Sequence, residues 1–111
     1  GDIVEQLFAA LNSHDVNKLV SLYTTDAVQI TASRTVMGSS AIAAWYSDLF
    51  NRVLPGATFS LSALPESGDG TRRFAWTASA SNGKVRDGND TLGLIDGKIS
   101  YHYTYFNITN A

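Results

Sequence analysis

The sequence predicts an α+β fold, with helices from its N-terminal half packed on one face of a mostly antiparallel sheet. Three observations point there. Apolar residues recur at helical spacing as far as Val53, where Pro55-Gly56 ends the pattern. Beyond that break the period changes to two, as strands require. Near the C-terminus, Asp96-Gly97 sits between two β-prone runs, a strong short-range hairpin signal.

Taken in order, Asp2 and Glu5 form a candidate capping box for a helix over residues 3–13, whose apolar positions are Ile3, Val4, Leu7, Phe8 and Leu11. Asn12-Ser13-His14 interrupts it and leaves His14 in an exposed turn. Asp15 caps a second helix with an apolar stripe of Val16, Leu19, Val20 and Tyr23. Residues 23–27 feed a short strand from Val28 to Thr31, and a polar, irregular stretch then leads to Met37-Gly38. Ser39 or Ser40 caps a third helix that turns Ile42, Trp45, Tyr46, Leu49, Phe50 and Val53 inward. Residues 58–64 alternate Phe59, Leu61 and Ala63 against Thr58, Ser60 and Ser62. Residues 66–70 read as a turn and residues 71–81 as a long strand carrying Phe74 and Trp76, with Arg72-Arg73 as its solvated start. Val85 to Gly88 reads as a loop or weak edge before the terminal hairpin.

Composition narrows the function classes. A chain of 111 residues with no repeat or linker is one domain, residues 1–111, large enough for a real core. Charged residues are only 16% of it, so part of the surface is expected to be covered in an oligomer. A net charge of −2 without a basic patch argues against nucleic acid. The absence of cysteine removes disulfides and thiolate metal sites. The 2 histidines lack metal-ligand spacing to carboxylates, so no metal is expected. No apolar run reaches membrane-spanning length, and no signal-peptide pattern appears. The first residue, Gly1, is consistent with a removed leader or an expression scar; the compartment stays open, with the cytoplasm favoured.

The hairpin carries the chemistry. Ser100, His102, Thr104 and Phe106 alternate with Ile99, Tyr101, Tyr103 and Tyr105, and neither set reads as solvated. The first face is expected to line a pocket, and the tyrosines to meet something large and flat. Register is open between two turns. A two-residue loop pairs Ile95 with Lys98 and sets Asp90 opposite Tyr103; a three-residue loop with a left-handed Gly97 pairs Leu94 with Lys98 and sets Asp90 opposite His102.

Four phrases resemble the nuclear transport factor 2-like superfamily, which includes ketosteroid isomerases, scytalone dehydratase and SnoaL-like polyketide cyclases. They are Phe8-Ala9-Ala10-Leu11-Asn12-Ser13-His14-Asp15, Leu22-Tyr23-Thr24-Thr25-Asp26-Ala27-Val28, Gly38-Ser39-Ser40-Ala41-Ile42-Ala43-Ala44-Trp45-Tyr46 and Asp96-Gly97-Lys98-Ile99. The resemblance spans essentially the whole chain. It implies a cystatin-like cone, three N-terminal helices packed on a curved, mostly antiparallel sheet, and commonly a homodimer through the outer sheet face. It also favours the three-residue turn, and so Asp90 directly across from His102. Of the isomerase's three catalytic positions, the base falls on Thr31, the oxyanion tyrosine on Leu7 and the second oxyanion donor on Asp90. One of three survives, so steroid isomerisation is not expected.

Asp90 and His102 are therefore the candidate catalytic pair, weighed against an ordinary cross-strand pair at a cavity mouth. Tyr23, Thr31, Trp45, Tyr46, Trp76, Leu92, Thr104 and Phe106 are the candidate ligand contacts, with Leu94 on the same face; an aromatic box and ordinary core are equally good readings. The expected ligand is small, apolar and cyclic, handled without a cofactor by an isomerase, cyclase or dehydratase of the SnoaL-like kind. The rival reading is a non-catalytic dimerisation or association module. Tyr101, Tyr103 and Tyr105 fit subunit contact better than ligand, since tyrosine buries area yet keeps a polar tip.

Overall fold

In the computed structural model, which describes residues 1–110, the helices come first and the sheet follows. Helix α1 spans Ile3–Ser13 and buries the apolar face that the periodicity marks, together with Ala10. Its capping box does not form. Asp2 stands at the N-cap with extended backbone but makes no side-chain cap bond, because its carboxylate is taken by Arg72. Arg72 is correspondingly half-buried rather than solvated, while Arg73 is exposed. His14 ends α1 in the left-handed conformation, φ 53°, and it too is half-buried. Its ring stacks on Phe50 and its Nε2–H donates to the Ala57 carbonyl at 2.7 Å, so the turn is pinned rather than free.

Asp15 caps α2, Val16–Ser21, accepting from the Lys18 N–H at 3.0 Å. Tyr23 does not extend that helix. It opens strand β1, Tyr23–Ile30, whose parallel pairing with a distant strand outweighs the local helical spacing. The short β2, Thr35–Met37, folds back on β1 where an irregular stretch was expected. Gly38, with φ 89°, rather than either serine, stands at the N-cap of α3, Ser39–Asp48. A π-helical turn over Leu49–Val53 continues it.

The remaining strands are β3 Thr58–Leu61, β4 Glu66–Gly68, β5 Thr71–Ala80, β6 Gly83–Ile95, β7 Lys98–Tyr105 and β8 Ile108–Thr109. The main order is β2-β1-β7-β6-β5-β3, with β4 on β5 and β8 on β6. Only the β1–β7 pair is parallel among the described residues, so the fold is α+β with three helices on a mostly antiparallel sheet.

Two bulges separate this sheet from the one periodicity predicts. In β6, Arg86 and Asp87 together oppose Thr77, between the Trp76–Gly88 and Ala78–Val85 pairs. Buried positions are odd before that point (Gly83, Val85) and even after it (Gly88, Asp90, Leu92). The phase change is why residues 85–88 looked like a loop.

In β7, Ser100 is the extra residue: Leu94 pairs with Ile99, but Gly93 pairs with Tyr101. The turn itself is the two-residue kind, with Ile95 opposite Lys98 and positive φ at both Asp96 and Gly97. Unbulged, that turn would have set Asp90 against Tyr103, on the tyrosine face. The bulge restores the parity, so Asp90 lies opposite Thr104 and His102 opposite Leu92. The favoured Asp90–His102 register is thus replaced by one that keeps both on the same face, one diagonal apart. Ile99, ahead of the bulge, is fully buried rather than aligned with the exposed tyrosines.

Candidate functional site

Asp90 occupies a central strand, with β5 on one side and β7 on the other. Three neighbours on the inner face reach its carboxylate: Thr104 directly across, and His102 and Trp76 from the two diagonals. Thr104 Oγ1 and Trp76 Nε1 donate to Oδ1 at 2.8 and 2.7 Å, and His102 Nε2 meets Oδ2 at 2.6 Å. Gly88 makes the Trp76 contact possible, because a Cβ there would lie 2.3 Å from the indole ring.

The second nitrogen of His102 is also engaged. Tyr23 OH lies 2.7 Å from Nδ1, and Tyr46 OH forms a short hydrogen bond with Tyr23 OH. The parallel β1–β7 pairing brings Tyr23 to the histidine, and α3 lowers Tyr46 onto it. One donor order satisfies every group with a neutral imidazole: Tyr46 to Tyr23, Tyr23 to Nδ1, and Nε2–H to Asp90. Burial, assisted by Tyr46 and by the Asp90 carboxyl, holds the Tyr23 phenol well above its ordinary range. Burial also raises Tyr46, opposed in part by its hydrogen bond with Tyr23. Both hydroxyls therefore keep their protons at neutral pH.

Two spaces adjoin this cluster. An inner cavity of about 20 Å³ is lined by Asp90, His102, Thr104, Tyr46 and Trp76, with Leu7, Leu11, Phe59 and Phe74 closing its apolar side. Since a water needs roughly 10–15 Å³ of such space, the inner end of the cone is nearly full. Outside it an open groove of about 510 Å³ runs past Thr31–Arg34, Val36, Ala41, Ala44 and the Asp48–Arg52 ion pair. Trp45, Leu49 and Phe106 line both spaces and form the partition between them.

The candidate residues divide accordingly. Asp90, His102, Tyr46, Trp76 and Thr104 come together on the inner cavity, with Tyr23 behind His102. Trp45 and Phe106 stand half-buried at the partition. Thr31 lies in the outer groove, its hydroxyl bonded to the Arg34 backbone, and is apart from the buried cluster. Leu92 is fully buried core and Leu94 only half-buried; neither lines the two spaces.

Gln29 went unnoticed in the sequence. It is the cross-strand partner of His102, fully buried, and neither its amide nitrogen nor its amide oxygen has a partner among the described residues. Its inward place follows from the alternation Ala27, Gln29 in β1, a signal that only becomes visible once the strand is known to begin at Tyr23. Among the described residues no three His, Asp or Glu side chains converge as metal ligands do, and no helix is long and apolar enough to cross a membrane.

Comparison with known proteins places the fold. The sequence matches the model of the SnoaL-like domain over residues 4–102. No curated protein matches it. Among solved structures it resembles the epoxide hydrolase/cyclase-like enzyme SalBIII of pyran ring formation in the polyether salinomycin, with TM-score 0.82 and 19% identity over 97% of this chain and 90% of that one. It also resembles a protein with a ketosteroid isomerase-like fold from Catenulispora acidiphila, in complex with trimethylamine (TM-score 0.80, 14% identity, 95% of this chain and 85% of that one). A third is an NTF2-like protein of unknown function from Cytophaga hutchinsonii (TM-score 0.75, 11% identity, 95% and 87%). At these identities the likeness is one of fold.

Proposed function

The chain belongs to the SnoaL-like domain family, and on that footing we propose that it binds a small, largely apolar cyclic ligand and moves protons on it without a cofactor. The reaction class is isomerisation, cyclisation or dehydration. Asp90 and His102 are the acid–base pair, and Tyr46, Trp76, Thr104, Trp45 and Phe106 are contacts. One observation carries the reading: a buried carboxylate–imidazole pair, fully hydrogen-bonded, faces an apolar chamber beneath an open groove. Such pairs do acid–base work because a low-dielectric wall strengthens each charge and donor around them. The ligand body fits the groove. Its reactive end reaches Asp90 once Trp45 and Phe106 swing aside, since the inner cavity alone holds about a single water.

A thermal-shift screen against steroids, aromatic polyketides, terpenoids and aromatic acids tests this. A ligand at about a hundred times its Kd adds roughly 2.7 kcal/mol, which raises Tm by about ten degrees in a domain of this size. A hit whose turnover disappears in Asp90→Asn supports the full reading; a hit with unchanged turnover removes Asp90 from the chemistry.

A second reading rests on different observations: the inner cone is nearly full, and Tyr101, Tyr103 and Tyr105 stay 40, 36 and 42% exposed on the outer face. In that reading the domain is an association module, and the tyrosine face is the seam of a homodimer. Silence across the ligand panel, with a dimer by sedimentation that Tyr103→Asp dissociates, would favour it.

A further inference from the structure

Both ring nitrogens of His102 are occupied, Nε2 by Asp90 and Nδ1 by Tyr23, so the imidazole has no free nitrogen to offer a ligand. Tyr23 does not line the inner cavity, but Tyr46 does. We propose that Tyr46 is the group through which the buried histidine touches the ligand, and that the protonation state of His102 sets whether the Tyr46 hydroxyl accepts or donates. The proposal rests on the binding reading above and deepens it: the ligand presents to Tyr46 an oxygen that gains or loses a proton, as a carbonyl–enol pair does.

The hydrogen count dictates the switch. With neutral His102, Nδ1 is an acceptor, so Tyr23 must donate to it and Tyr46 must donate to Tyr23. The Tyr46 oxygen then has only lone pairs left for the cavity. With His102 as imidazolium, Nδ1–H donates to Tyr23, Tyr23 donates to Tyr46, and the Tyr46 O–H is released toward the cavity. Transfer balances in either direction. One proton leaves Nδ1 for Tyr23, Tyr23 passes its own to Tyr46, and Tyr46 passes its own to the ligand oxygen. The imidazolium becomes neutral, the ligand oxygen gains one positive charge, and the chain is left in the opposite order.

Because burial keeps both phenols protonated, each always contributes one hydrogen, and His102 alone sets the direction. The titratable groups that face His102 are Tyr23 from β1 and Asp90 from β6, with Tyr46 from α3 behind Tyr23. Gln29 on the neighbouring strand does not titrate.

The test needs no ligand, so its failure is separable from failure of the binding screen. Histidine-15N and tyrosine ring-13C labels are followed by NMR as pH falls from neutral. At neutral pH, His102 is expected to carry its proton on Nε2 and none on Nδ1. On acidification, Nδ1 gains a proton, and the Tyr46 ring carbon bearing oxygen shifts with the same midpoint. In Tyr23→Phe, His102 still titrates but Tyr46 loses that shift. If Tyr23→Phe does not fold, Tyr46→Phe serves instead: Tyr23 then loses its acceptor, and its own titration shift shrinks. A proton on Nδ1 at neutral pH overturns the proposal. So does a Tyr46 midpoint independent of His102, a co-titration that survives Tyr23→Phe, an undiminished Tyr23 shift in Tyr46→Phe, or a His102 that never titrates while folded.

Discussion

Strand β7 offers its own control experiment. His102 and Thr104 point inward, each with a named partner on Asp90, while Tyr101, Tyr103 and Tyr105 point outward from the same strand, a third or more exposed. Sequence position and strand propensity are nearly identical for the two sets. What differs is the dielectric and the packing around them. On the inner face a polar group without a partner is expensive, and Asp90, His102, Thr104, Trp76, Tyr23 and Tyr46 are tied into a single network, with buried Gln29 left outside it. Outside, water satisfies any phenol in any rotamer, and the residues are free to serve association.

The largest expected effect is at the hub of the inner face. Asp90→Ala strands the Trp76 and Thr104 donors and breaks the buried pair with His102. We expect a loss of about 3–5 kcal/mol by urea denaturation, as for other broken buried pairs. A loss under about 1 kcal/mol would show that inner and outer faces are energetically alike.

Alkaline pH probes the same contrast without mutation. The folded-state values of Tyr23 and Tyr46 lie above the ordinary phenol value of 10.0, so the unfolded chain releases those protons first. Stability is thus full below about pH 10 and falls as pH rises further, by up to about 2.7 kcal/mol per pH unit for two tyrosines. Tyr23→Phe should roughly halve the slope, while Tyr103→Phe on the outer face should leave it unchanged.

Gly88→Ala presses a methyl into the Trp76 ring, so the strand or the indole must move. About 1–3 kcal/mol is expected, with a red shift of Trp fluorescence as Nε1 leaves Asp90. The smallest effect belongs to the outer face. Tyr101→Thr and Tyr103→Thr replace one strand-favouring residue with another and should each change monomer stability by no more than about 0.5 kcal/mol. A larger, concentration-dependent loss would show that the tyrosines are buried in a dimer.

Much of this was legible in the residues. The 3–13 helix, the Asp15 cap, the long strand of Phe74 and Trp76, and the outward tyrosines all follow from local period and turn chemistry. Asp90 and His102 were also legible as a pair. Their true contact was not, because both expected registers lacked the Ser100 bulge. Tyr23 was assigned to a helix since Leu19, Val20 and Tyr23 keep helical spacing, and only the distant β7 draws it into a strand. His14 looked exposed because nothing near it in sequence announces Phe50 or Ala57 as partners.

The sequence by itself determined the three helices and the long strands of Phe74 and of the terminal hairpin, where Asp-Gly turns the chain, and which alternating set of β7 is aromatic; it did not show that residues 23–27, 35–37, 66–68 and 85–88 are strand. These depend on interactions within a few residues, where spacing is fixed by covalent geometry. The tertiary structure decided what meets what: Asp90 with Trp76 and Thr104, His102 with Tyr23, Tyr23 with Tyr46, and how little space the cone retains. Those contacts join residues 14 to 79 positions apart, and one bulge residue is enough to move a side chain from one face of a sheet to the other.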